Sequence, residues 1–250
     1  MRIALFITCL TDTFYPRTGV AVVRVLEHLG HHIEFPQAQT CCGQPMYNNG
    51  FTAEARTLAL QLARVFEPFD TVVTASGSCA AMVREHSLHL FDPGTLEHSR
   101  LAALAAKTYE FSELLRDVLQ IELSTLSPSL SETVTYHYAC HLRSLGIKSQ
   151  HEQLLGDIDG LEYRPLENKE QCCGFGGTFA VKYPTISGQM VDDKVQAIRK
   201  TGASTVISSD AGCTMNISGA CRRAGHEVRF KSLPELLAES LGLMRDGDPA

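Results

Sequence analysis

Nine cysteines stand in a chain of 250 residues, and eight of them form a pattern. Cys9, Cys41, Cys42 and Cys79 in the first half match Cys140, Cys172, Cys173 and Cys213 in the second. The offset is 131 residues for the first three pairs and 134 for the last. Each half sets two adjacent thiols before a glycine, in TCCGQPMYNNG from Thr40 and QCCGFGGTFA from Gln171. Flanking segments repeat as well. TVVTASGSC (Thr71–Cys79) matches TVISSDAGC (Thr205–Cys213), and YEFSELL (Tyr109–Leu115) matches FKSLPELL (Phe230–Leu237). Four cysteine positions and two segments in register define an internal duplication. Cys221 has no counterpart and reads as a plain buried or surface thiol.

Four thiolates are the usual ligand set of a [4Fe–4S] cluster, and zinc takes four as well. Structural zinc sites favour tight C-x2–4-C knuckles. Here 31 residues separate Cys9 from Cys41, and 36 separate Cys42 from Cys79. Consecutive side chains also diverge, which suits a cluster of several irons better than one small ion. The glycines permit positive φ and a close backbone approach. Any one cysteine after a strand is ordinarily a core residue, but eight in duplicated register are poorly explained that way. His141 follows Cys140 directly and His137 lies three residues before it; either is able to donate to cluster sulfur or carry protons near pH 7. For His137 a core or surface place is the more ordinary reading, and Arg143 reads as an exposed cation able to meet a carboxylate. GFGG (Gly174–Gly177) lacks the spacing of a dinucleotide loop, so NAD is excluded. No Ser-His-Asp order or paired-carboxylate motif is evident.

These thiols need elements to bring them together. Strands are expected at Ile3–Thr8, Ile33–Phe35, Thr71–Ala75, Val134–Tyr138, Leu161–Pro165 and Thr205–Ser209, from apolar and β-branched runs. Helical spacing covers Val20–Leu29, Ala53–Phe66, Gln189–Lys200 and Pro234–Leu243. Alternating strands and helices imply an α/β fold of two tandem βα modules, each with a mainly parallel sheet flanked by helices. Ligands of such sheets gather beyond the strand C-terminal ends, where every repeated cysteine is expected. The modules are placed at 1–125 and 133–250, with the serine-rich stretch 126–132 as linker.

Composition narrows the function. Hydrophobic residues make up 44% and charged residues 20%, and the net charge is −6. Broad binding to nucleic acid is therefore not expected. MRIALFITCL reads as a buried first strand rather than a signal peptide. No run approaches the ~18 apolar residues of a membrane helix. Cysteines this numerous, in a chain expected to be cytoplasmic, point to metal or redox chemistry rather than disulfides.

The order cysteine, C-C-G, cysteine, present twice, resembles the CCG-domain family. This is the cysteine-rich module of heterodisulfide reductases and of the iron–sulfur subunits of glycolate and glycerol-3-phosphate oxidation systems. A chain made of two such modules, with TYHYACHLRSLGI and CCGFGGTFAVKYP, is most similar to the members that serve lactate oxidation. The resemblance implies an iron–sulfur electron-transfer subunit in the conversion of L-lactate to pyruvate, carrying up to two [4Fe–4S] clusters. Cys9, Cys41, Cys42 and Cys79 would hold one cluster, and Cys140, Cys172, Cys173 and Cys213 the other. It implies two further lactate-utilization subunits, one a ferredoxin-type iron–sulfur protein and one a third small subunit. It also implies a respiratory acceptor and a place at the membrane through these partners. The chain departs from heterodisulfide reductase where the family has C-x-x-C: the first cysteine is replaced by Ser76 and Asp210. These two residues and His141 are accessory candidates. A disulfide reductase, or a zinc or thiol scaffold, remains an alternative.

Overall fold

The structure, a computed structural model, describes residues 1–245; the last residues of the expected second module lie outside that range. The first half runs β1 (Arg2–Leu5), α1 (Cys9–Phe14), α2 (Pro16–His28), β2 (His32–Glu34), α3 (Gln44–Asn48), α4 (Thr52–Phe66), β3 (Val72–Thr74), α5 (Gly77–Ala81), α6 (Leu96–Ala106), β4 (Thr108–Glu110) and α7 (Phe111–Glu113). The second half runs β5 (Ser129–His137), α8 (Cys140–Ser144), α9 (Gln150–Gly156), β6 (Asp159–Tyr163), α10 (Phe179–Lys182), α11 (Pro184–Thr201), β7 (Thr205–Ser208), α12 (Ala211–Arg223), β8 (Arg229–Ser232) and α13 (Leu233–Ser240). Each half forms a four-stranded sheet, ordered β2-β1-β3-β4 and β6-β5-β7-β8. Every pairing is parallel, so the α/β reading holds.

Several boundaries differ from the sequence reading. β1 stops at Leu5 because the chain turns to start α1 at Cys9. The edge strand β6 lies two residues upstream of the apolar run. β5 begins at Ser129, so part of the stretch read as linker is strand. The fourth strand of each sheet, β4 and β8, carries few apolar residues and has no strand signal in the sequence.

The core ties the halves together. Along β1, Ile3 and Leu5 join one cluster while Ala4 joins another, as strand alternation requires. The second cluster is local, with Ala55, Ala59 and Leu62 of α4 and Leu101 and Leu104 of α6. The first cluster is shared. Val22, Val25 and Leu26 of α2 lie in it with Leu233, Leu236 and Leu237 of α13, and Val134 and Tyr136 of β5 complete it. The terminal helix of each half docks on the first long helix of the other. α13 packs on α2, and α7 packs on α9. Both exchanged helices start with a capping box, Glu110 with Glu113 and Ser232 with Glu235. Polar contacts secure each dock. Thr18 donates to Ser232 at 3.0 Å, and Arg24 reaches the Leu243 carbonyl at 2.8 Å. On the other side Arg116 pairs with Asp157 at 3.1 Å, and Gln150 donates to Asp117 at 2.8 Å.

Candidate metal centre

Each repeated cysteine sits just past a strand or in the loop beside it. Cys9 and Cys140 are the first residues of α1 and α8, beyond β1 and β5. Cys79 and Cys213 lie in the first turns of α5 and α12, beyond β3 and β7. A helix N-terminus carries partial positive charge, which favours a thiolate there. The adjacent pairs Cys41–Cys42 and Cys172–Cys173 come from the loops after β2 and β6. Parallel order puts all these ends on one side of each sheet, and the pseudo-symmetric packing turns the two sides towards each other. One cleft of about 280 Å³ is lined by all eight cysteines.

Within each set the sulfurs are close. Cys9 and Cys41 are 3.8 Å apart, Cys42 and Cys79 3.2 Å, and Cys173 and Cys213 3.1 Å. The Gly174 amide donates to the Cys172 sulfur at 3.4 Å. Cys42, Cys79, Cys173 and Cys213 are buried, while Cys9, Cys41, Cys140 and Cys172 are more open. All nine thiols are free. Hydrogen bonds from Cys42 and then Cys9 hold Cys41 far below the usual thiol range, at about 2. Cys172 falls to about 2 through Cys140 and then Cys173. Cys42 and Cys173 move up in return, because their protons are shared with those neighbours. In each set one sulfur is thus pulled down by its thiol neighbours while its partner is pushed up. Cys221, by contrast, is buried in the shared core on α12, and burial pushes its thiol up to about 11.

Ser76 and Asp210 have structural work. The Ser76 hydroxyl caps α5 by accepting from the Cys79 amide at 3.3 Å. Asp210 caps α12 by accepting from the amides of Gly212 at 3.1 Å and Cys213 at 3.4 Å. The two caps also meet across the halves. Ser76 donates to Asp210 at 3.3 Å, and the Ser78 amide donates to the same carboxylate oxygen at 3.0 Å. They line the cleft as its seam, with their hydrogen-bonding capacity directed to the fold. His141 lines the cleft too, 3.7 Å from the Cys140 sulfur and 3.4 Å from Gln44 of the opposite half. Arg143 pairs with Glu170 at 3.1 Å on the surface.

The glycines divide in role. Gly43 and Gly174 follow the paired thiols at φ of 89° and 80°. A side chain on Gly174 would come within 2.8 Å of the Ser187 carbonyl, so this glycine lets the loop close onto α11. Gly176 and Gly177 line the cleft itself. Sequence reasoning undervalued His137. It is fully buried, and neither ring nitrogen has a hydrogen-bond partner among the described residues. One ring nitrogen and the sulfurs of Cys173 and Cys213 all lie within 4.8 Å of one another. Its spacing three residues before Cys140 was visible, but not that the ring turns inward. The donor set fits a thiophilic metal group: convergent thiols, four of them in the first turns of helices, and an orphaned imidazole beside them.

Fold and site define a tandem cysteine-rich protein whose two parallel α/β modules share one thiol-lined cleft. The family model for the cysteine-rich CCG domain matches twice, at residues 3–84 and 134–218. A lactate utilization protein A from Geobacillus kaustophilus is 47% identical over 238 residues, 95% of this chain and 98% of that one. That of Geobacillus thermodenitrificans is 48% identical over 240 residues, again 95% and 98% of the two chains. One from Bacillus cereus is 44% identical over 238 residues, with the same coverage. The chain belongs to the family of the lactate utilization A proteins, built from two CCG domains. A crystal structure of a hypothetical protein from Helicobacter pylori shares the fold, with a TM-score of 0.69 at 12% identity. It matches 98% of this chain, which spans half of that one. Among the described residues no helix is long and apolar enough to cross a membrane.

Proposed function

We propose that this chain is the iron–sulfur electron-transfer subunit of an L-lactate oxidation system. The observation that carries the reading is the convergence of all eight repeated cysteines on one cleft. Cys9, Cys41, Cys42 and Cys79 would hold one [4Fe–4S] cluster, and Cys140, Cys172, Cys173 and Cys213 a second. Such clusters, once bound, supply one-electron redox chemistry. The chain's own residues build the cradle. Cys9, Cys79, Cys140 and Cys213 sit in the first turns of α1, α5, α8 and α12, the Gly174 amide donates to the Cys172 sulfur as its loop closes, and the Ser76–Asp210 seam holds the halves in register. The name of the relatives supports lactate as the substrate of the system. Partner subunits, one of ferredoxin type and one small, would carry the lactate site and pass electrons to a respiratory acceptor.

A disulfide reductase of the heterodisulfide type is disfavoured, because the positions of its extra cysteines are occupied by caps bonded to each other. Iron and acid-labile sulfide, counted per chain after anaerobic purification, test the reading. About eight of each, with an EPR signal on reduction, is the expected result for two four-iron clusters. Stoichiometric zinc without iron would replace the electron-transfer role by a scaffold.

A further inference from the structure

The two modules match in their cysteines but not in what stands behind them. Three residues before Cys140 is His137, and three residues before Cys9 is Phe6. Both side chains are buried. Phe6 packs edge-on against Phe66, with ring centroids 5.6 Å apart, and an apolar ring needs no more. His137 occupies the equivalent place with two polar nitrogens and no hydrogen-bond partner among the described residues. Buried polar groups are ordinarily satisfied, so an orphaned ring marks a place where a group other than the protein's own atoms completes the site. What it faces is the pair of buried sulfurs of Cys173 and Cys213. A second polar group stands beside it. Lys194 of α11 is fully buried and its ammonium donates to the Asn168 carbonyl at 3.3 Å; burial lowers its pKa, against the opposing pull of Cys173, Cys213 and Cys172. The matching helix of the first module, α4, contains no lysine.

We infer that the two thiol sets hold electronically unequal centres, and that His137 makes the second the better electron acceptor by donating a ring N–H to a metal-bound sulfur of Cys173 or Cys213. The inference rests on the iron–sulfur reading above. Donors and positive charge near ligating sulfurs stabilise the more negative, reduced form and raise its potential. The first set has Phe6 in that place, and the matching helix α4 offers no lysine. An electron entering the cleft would therefore settle in the second module, which gives the pair a direction. His137 acts here through the sulfurs, as a positioning and tuning residue, with Lys194 in support.

The test uses the full chain purified anaerobically, with iron counted first and potentials then read by dye-mediated titration under EPR. Wild type is expected to show two reduction steps. H137F, which copies the first module, should move the upper step down towards the lower at unchanged iron content. The lower step should stay in place. K194M should move the upper step in the same direction, and the reverse exchange F6H should raise the lower step. Coincident steps in wild type, or a loaded H137F with neither step moved or both moved equally, would overturn the inference. If H137F does not fold, F6H decides: a lower step that stays in place counts against the role. Iron confined to the first module, lost in C42S but kept in C173S, would leave the electron-transfer reading standing and overturn the tuning. If iron resides in the second module alone, its single step must fall in H137F, and an unmoved step overturns the role. A chain that binds no iron fails at the count and takes the whole iron–sulfur reading with it.

Discussion

At the scale of residues, the departures from the family pattern are as informative as the cysteines. Ser76 and Asp210 each replace a thiol by a short oxygen side chain at a helix N-cap, where such side chains are strongly preferred. Asp210 does more than cap, since its second oxygen receives the Ser76 hydroxyl and the Ser78 amide from the other half. Replacing it by alanine strands these donors and the first-turn amides in a buried place. We expect D210A to cost about 1–2 kcal/mol, read as a lower midpoint in urea or heat. D210N keeps an acceptor and should lose clearly less. Equal losses would mean that the charge, not the cap, is what matters. The preference of Ser and Asp for helix starts was legible in the sequence. Their contact across 134 positions was not, because it depends on how the two halves pack against each other.

At the scale of elements, the chain reads as two copies but packs as a reciprocal pair. The repeat YEFSELL and FKSLPELL marks the exchanged segments, and the S-x-x-E of Ser232–Glu235 announces a helix start. Their partners were hidden. Leu114 and Leu115, like Leu236 and Leu237, say only that a helix has an apolar face. Which surface meets that face is decided by the crossing of chain halves. Leu237 is fully buried in the shared cluster. L237A is expected to cost about 2–5 kcal/mol through lost contacts and a residual cavity. Because α13 rests on α2, hydrogen exchange in L237A should loosen β1 along with β5. Protection lost only in the second sheet would argue that the halves have separate cores.

At the scale of the whole molecule, a buried polar cluster joins the halves behind the cleft. Glu110 accepts from the Ser112 amide at 2.7 Å and from the Ser112 hydroxyl, which also meets His151 of α9 at 3.1 Å. His151 stacks on Tyr136 of β5, centroids 4.7 Å apart. Burial raises the Glu110 carboxyl from 4.5 to about 7, against the pull of its hydrogen bonds. A carboxyl raised on folding contributes stability that is fully present below its unfolded value and is lost as pH climbs through the folded one. Burial also lowers His151 from 6.5 to about 3, so its contribution runs the other way and is lost as pH falls through that range. Comparing E110Q with the parent isolates the carboxyl. The parent should lose on the order of 3 kcal/mol relative to E110Q between pH 4.5 and pH 7, measured by urea unfolding across that window. Parallel pH profiles would show that the carboxyl does not titrate there.

The duplicated cysteines, the alternation of β-branched runs with helical spacing, and the glycines after paired thiols are local or periodic features. They were enough to define two parallel α/β modules and to name all eight thiols, because side-chain period and turn chemistry are written in neighbouring residues. The polar edge strands β4 and β8 escaped, since the sheet rather than an apolar run specifies them. Only the tertiary structure decided that both thiol sets share one cleft, that Ser76 and Asp210 form its seam, and that His137 turns inward while its counterpart is Phe6. Those outcomes depend on contacts between residues far apart in the chain, and no local pattern encodes which faces will meet.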